Sequence, residues 1–127
     1  MNLNQVTLAT NNIEQSKTFY QTLGFTLIVD APHYVRFACT QGDATFSLLQ
    51  QDEPVNNDSV VYFECQHLDS WVNELIECGI QFEQLPTDQR YLWREAILKD
   101  PSGNKIKLYW AGENRLNPPW KVQHTSS

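Results

Sequence analysis

The chain has 127 residues, 41% hydrophobic and 19% charged, and its 15 acidic against 9 basic side chains leave a net charge of −6. That length suits one domain with a real apolar core, without disulfide or metal staples. The acidic balance argues against nucleic acid, whose phosphates are met by clustered Lys and Arg, and no apolar run approaches the roughly 20 residues that span a bilayer. The opening segment MNLNQVTLAT has neither the basic nor the apolar stretch of a secretory signal. Cys39, Cys65 and Cys78 are odd in number and widely spaced, and they read as small buried hydrophobes in a reducing compartment. The expectation is a soluble cytoplasmic protein that contacts neither nucleic acid nor membrane.

Residues 3–9 alternate in a β-rich pattern and predict a strand. Asn12 is placed to cap a helix over IEQSKTFYQTLG, with Gln15 as reciprocal partner, Gly24 as its stop, and Ile13, Phe19, Tyr20 and Leu23 on the apolar face. Three alternating runs follow at Phe25–Asp30, Tyr34–Cys39 and Ala44–Leu49, separated by Pro32 and the Gln41-Gly42-Asp43 turn. The polar stretch QQDEPVNND then breaks the pattern, and the same order returns. Val60–Cys65 predicts a strand, and Asp69 is placed to cap SWVNELIEC, with Trp71, Val72, Leu75 and Ile76 as its stripe and Gly79 as its stop. Gln81–Gln84, Trp93–Lys99 and Lys105–Trp110 predict the last three strands. The Pro- and Asn-rich tail predicts an extended or partly disordered arm.

The two halves align. Gln5-Val6-Thr7-Leu8 falls on Val60-Val61-Tyr62-Phe63, Leu23-Gly24-Phe25 on Cys78-Gly79-Ile80, and Phe46-Ser47-Leu48 on Ile106-Lys107-Leu108. A unit that cannot bury its own sheet face must pack against a copy. The reading is therefore an α+β chain of two tandem βαβββ modules. Residues 3–50 make the first module, 51–58 a linker, 59–111 the second module and 112–127 a tail.

Two segments carry a resemblance. SKTFYQTLGF (Ser16–Phe25) and REAILKDPSGNKIKLY (Arg94–Tyr109) match the FY…LGF and RE…DPxGN…IxL signatures of the vicinal oxygen chelate superfamily, which holds glyoxalase I, extradiol dioxygenases and the fosfomycin and bleomycin resistance proteins. The order of elements extends it over residues 3 to 111. The resemblance implies the fold, two βαβββ modules forming a curved mixed-sheet cup, but no single reaction, because the fold hosts many chemistries. The DPSGN turn itself reads as structural: Asp100 can accept from nearby amides, Pro101 fixes φ and Gly103 permits positive φ.

In metal-dependent relatives, the resemblance places a His on a module's first strand and a Glu on its last strand, as ligands of a divalent cation. Here those positions hold Gln5 and Val60, then Ser47 and Lys107. Val has no donor atom and a Lys ammonium repels a cation, so no metal and no other cofactor is expected. His33, His67 and His124 are too far apart in sequence for a ligand motif and read as surface residues.

Strand alternation then selects the lining of the cup. If the former ligand positions point inward, so do Thr7, Leu49, Tyr62, Lys105 and Tyr109. With Val35, Phe37, Ala96 and Leu98 in the core, Tyr34, Arg36 and Ala38 turn to the cup, as do Trp93, Glu95 and Ile97. The candidate ligand-binding residues are Gln5, Tyr34, Arg36 and Ser47 from the first half, and Tyr62, Trp93, Glu95, Lys107 and Tyr109 from the second. Arg94 faces the other way, as an exposed or interface residue. An aromatic wall with sparse polar groups is the usual make-up of a small-molecule site.

The leading reading is a metal-free protein of the bleomycin-resistance type that binds an aromatic or cationic small molecule. A second is a metal-independent lyase or isomerase with Glu95 as general base. A third is a non-catalytic interaction subunit that docks a partner through Trp120, Pro118 and Pro119. The resemblance also implies an isologous homodimer.

Overall fold

A computed structural model describes residues 1–124. The order is β1 (Gln5–Thr10), α1 (Ile13–Thr22), β2 (Thr26–Asp30), β3 (Tyr34–Ala38), β4 (Thr45–Gln50), β5 (Val60–Glu64), α2 (Leu68–Glu77), β6 (Gln84–Asp88), β7 (Arg94–Lys99) and β8 (Lys105–Trp110). A short 3₁₀ turn follows at Gly112–Arg115, where an extended or disordered arm was expected. The strands form two four-stranded sheets in the equivalent orders β1-β4-β3-β2 and β5-β8-β7-β6. The first is mixed, with β1 parallel to β4 and β4, β3 and β2 antiparallel in succession. No helix of the described residues is long and apolar enough to cross a membrane.

Local chemistry explains most of the boundaries. The Asn12 side chain accepts from the Gln15 amide and satisfies one of the orphan donors at the start of α1. Gly24 (φ +98°) and Gly79 (φ +94°) take the left-handed conformation that ends each helix, and they sit 55 residues apart, as do the two helices.

Three expectations are corrected. Helix α2 begins at Leu68, one residue before the expected cap; its N-cap His67 makes no side-chain cap bond, and Asp69 lies inside the first turn. Its buried stripe is accordingly Leu68, Val72 and Leu75, while Ile76 is exposed. Strand β6 starts at Gln84, where the expected Gln81–Gln84 strand would have ended, because its ladder to β7 begins with Gln84 opposite Ile97. Cys78 caps α2 and is exposed, and Cys39 and Cys65 are half-buried, so none is a fully buried hydrophobe.

The chain forms two compact units. The first comprises residues 1–60 together with 99–105, and the second, among the described residues, 61–98 with 106–124. The DPSGN turn thus belongs to the first unit, and its contacts explain why. Asp100, 4% exposed, accepts from the Ser102 and Asn104 amides at Oδ1 (both 2.9 Å) and from Asn104 Nδ2 (2.9 Å) and the Tyr20 hydroxyl (2.7 Å) at Oδ2. Asn104 also donates to the Ala9 carbonyl (2.9 Å), and Ser102 shares a hydrogen bond with the buried Thr10 hydroxyl (2.9 Å).

Tyr20 is fully buried, with ring centroids of Phe19, Phe25, Phe37 and Phe46 within 5.1–6.4 Å. The two signature segments therefore meet through Tyr20 and Asp100. Desolvation, and then the Asp100 carboxylate, push the Tyr20 pKa well above the ordinary tyrosine value.

Replacing Tyr20 with Phe keeps the ring and leaves Asp100 Oδ2 short of a donor. The expected cost is about 1–3 kcal/mol, read from urea unfolding. Because the folded pKa is raised, Tyr20 contributes stability that is complete below about pH 10 and declines as pH rises toward its folded value. The Y20F variant should therefore lose less stability than the parent above about pH 10.

Candidate functional site

Strand alternation divides the first sheet as expected: Val35, Phe37, Phe46 and Leu48 are buried on the helix side, and Arg36 and Tyr34 lie half-buried on the other. Arg36 is the register partner of Ser47, and Tyr34 that of Leu49. Gln5 pairs with Thr45, two residues before Ser47, so its side chain reaches Ser47 diagonally across the parallel ladder. The four candidate residues of this half form one connected chain. Gln5 Nε2 donates to Ser47 Oγ (2.9 Å), Ser47 Oγ and Tyr34 Oη are 2.6 Å apart, and Arg36 Nε donates to Tyr34 Oη (3.0 Å). Thr45 donates to Gln5 Oε1, which orients the amide with its NH₂ toward Ser47. The Ser47 hydrogen bond is the main cause of a lowered Tyr34 pKa; desolvation opposes it and Arg36 adds to it.

The second sheet carries a different cluster. Ala96 and Leu98 are buried on the helix side, where Arg94 points as well. Arg94 binds Asp69 with two nitrogens (2.8 and 2.9 Å) and Asp88 with a third (3.1 Å), so it ties α2 and β6 to β7. Arg94 thus faces away from the aromatic side, as expected, and its ion pair explains why Asp69 is not a cap. On the opposite face the Trp93 and Tyr109 rings stack at 4.7 Å, and Tyr62 meets both edge-on at 5.9 and 5.6 Å. Tyr91, which the alternation argument missed because it lies in the β6–β7 turn, adds an edge contact to Trp93 at 5.8 Å. Leu92 between them has φ +67°, a left-handed conformation that a leucine adopts at a cost of roughly 1–2 kcal/mol.

Glu95 is 2% exposed. Lys107 Nζ lies 3.1 Å from its Oε2 and 5.2 Å from the Tyr62 ring centroid. Against the cost of desolvation, hydrogen bonds to Glu95 and Tyr62 keep the Lys107 pKa raised. Oε1 of Glu95 has no hydrogen-bond partner among the described residues. Desolvation, and then the approach of its hydroxyl to this carboxylate, raise the pKa of the neighbouring Tyr91. A buried carboxylate oxygen without a donor is costly, and in a native structure it calls for an explanation.

The positions that would ligate a metal do not fit one. Gln5 and Ser47 are committed to each other and to the Tyr34–Arg36 chain, Lys107 is ion-paired with Glu95, and Val60 has no donor atom. Among the described residues no group of three or more His, Cys, Asp or Glu side chains could hold an ion. His33, His67 and His124 are exposed.

The comparisons with known proteins agree with this fold. A protein of Mycolicibacterium smegmatis described as uncharacterized is 31% identical over 106 residues, covering 82% of this chain and 89% of its own. A glyoxalase/bleomycin resistance protein/dioxygenase from Nocardioides superposes with a TM-score of 0.76 at 21% identity, covering 97% of this chain and 90% of its own. A bleomycin-binding protein solved in complex with bleomycin superposes with a TM-score of 0.69 at 18% identity, covering 87% of this chain and 98% of its own. Residues 2–108 match the family as a whole. With both signature segments meeting in one hydrogen-bonded core and that match spanning both sheets, the chain belongs to the glyoxalase/bleomycin resistance protein/dioxygenase superfamily.

Proposed function

We propose that this chain is a metal-free, cytoplasmic small-molecule-binding protein whose recognition surface includes the aromatic face of the second sheet. The observation that carries the reading is Glu95 Oε1, buried and without a donor beside the stacked Trp93 and Tyr109 rings. A flat ligand covering Tyr62, Trp93 and Tyr109, with an N–H or cationic group aimed at Oε1, would complete that inventory. The fold shared with a bleomycin-binding protein supports the same class of activity.

The test is quenching of tryptophan fluorescence by a planar aromatic cation, N-methylquinolinium. Saturable quenching is expected. W93F should remove most of the response, and E95Q should weaken binding about tenfold, the loss of one charge-assisted hydrogen bond. No saturable response, or a stoichiometric divalent ion in protein purified without chelator, would overturn the proposal. The alternative, a lyase or isomerase with Glu95 as base, predicts that E95Q abolishes turnover of a substrate while its affinity persists.

The Glu95–Lys107 pair can be tested on stability alone. Lys107→Met strands a buried carboxylate and should cost about 3–5 kcal/mol, whereas the double replacement E95M/K107M should recover most of that loss in urea unfolding. We further propose an isologous homodimer, supported by exposed apolar side chains such as Leu85, Trp110 and Leu116. Light scattering should then give twice the chain mass of 14.7 kDa, and a monomer mass would exclude it.

A further inference from the structure

We propose that the face of the first sheet carries a second recognition site, in which Tyr34 and Arg36 together bind a carboxylate group. The argument is an account of protons. The Gln5 amide is oriented by Thr45 so that its nitrogen faces Ser47, and an amide nitrogen only donates. Ser47 is fully buried, and the Gln5 nitrogen and the Tyr34 hydroxyl are its side-chain partners. Its own proton must therefore go to Tyr34 Oη; the reverse arrangement would leave a buried O–H without an acceptor, at a cost of about 1–3 kcal/mol.

Arg36 Nε also donates to Tyr34 Oη, so that oxygen receives two hydrogen bonds and has its own proton left to give. Tyr34 is half-buried, and among the described residues no acceptor takes that proton.

Arg36 adds the charge. Its terminal nitrogens make no hydrogen bond or ion pair among the described residues; its contacts are Nε to Tyr34 and the guanidinium over the Tyr34 ring at 5.4 Å. The acidic residue nearest along the adjoining strand, Asp30, is opposite Val35 and is paired with Lys17. The surface thus offers one O–H and the free edge of a guanidinium, with no acceptor between them. A guanidinium edge matches the two oxygens of a carboxylate. Leu49, the register partner of Tyr34, is 49% exposed and supplies an apolar flank for the rest of the ligand.

The probe is benzoate, with benzyl alcohol as its neutral counterpart, followed by titration calorimetry and by the Arg36 Nε–H resonance. Saturable benzoate binding that shifts this resonance is expected, with benzyl alcohol inert. R36M should weaken benzoate at least tenfold, R36K should weaken it less, and Y34F should weaken it severalfold. Circular dichroism of R36K, which keeps the charge, guards against loss of the fold. Absence of benzoate binding, equal binding of benzyl alcohol, or full affinity in R36K and R36M would each overturn the proposal. R36M and Y34F leave Trp93 and Glu95 unchanged, so N-methylquinolinium binding to the same variants is read as a separate result.

Discussion

The Asp100 carboxylate is the interaction on which the first unit depends. It is buried and has no cation among its hydrogen-bond partners, so four neutral donors must hold it, and their geometry is demanding. Two of them are backbone amides of its own turn, which fix the DPSGN conformation. A third is Tyr20, eighty residues earlier in the chain. Tyr20 can reach Asp100 only if α1 lies on the sheet with its ring among Phe25, Phe37 and Phe46. That packing sets which side chains of β3 and β4 face the core, and alternation then sends Tyr34, Arg36 and Ser47 to the other side. A hydrogen bond remote from any ligand decides the face on which ligand chemistry is presented.

The two halves share a strand order but not a chemistry. On β3, the residue beside the last strand's former ligand position is an arginine, held by a tyrosine and a serine. On β7 it is a glutamate, held by the lysine of the corresponding position on β8. The first half has unused donors, whereas the second has an unused acceptor beside stacked aromatic rings. Duplication has kept the scaffold and reversed the polarity of what each copy displays.

Much of this was legible in the sequence. Hydrophobic period and helix stops located both helices and nearly every strand, because Gly24 and Gly79 mark the same event in each copy. The face assignments of Val35, Phe37, Ala96 and Leu98 followed from period two alone. The failures have physical causes. Asp69 looks like a cap in the sequence, but Arg94, twenty-five residues later, offers it a two-nitrogen ion pair. Tyr91 was invisible to alternation because a strained turn, not a strand, aims it at Trp93. The direction of the Gln5–Ser47–Tyr34 chain depends on which hydroxyl is buried, a property that residue types do not reveal. The place of residues 99–105 in the first unit depends on Tyr20 and Thr10 as much as on the turn itself.

The commitment of Gln5 and Ser47 to one another has an evolutionary reading. A histidine at position 5 would remove the amide that Ser47 accepts from, and a glutamate at position 47 would set a buried carboxylate beside the Tyr34 oxygen. Each change on its own damages the hydrogen bonding of the sheet before any metal could compensate. In the other half, replacing Lys107 first would strand Glu95. Acquiring metal ligands at these positions would have to pass through less stable intermediates, so the hydrogen bonds and the ion pair already there act as a ratchet against that change.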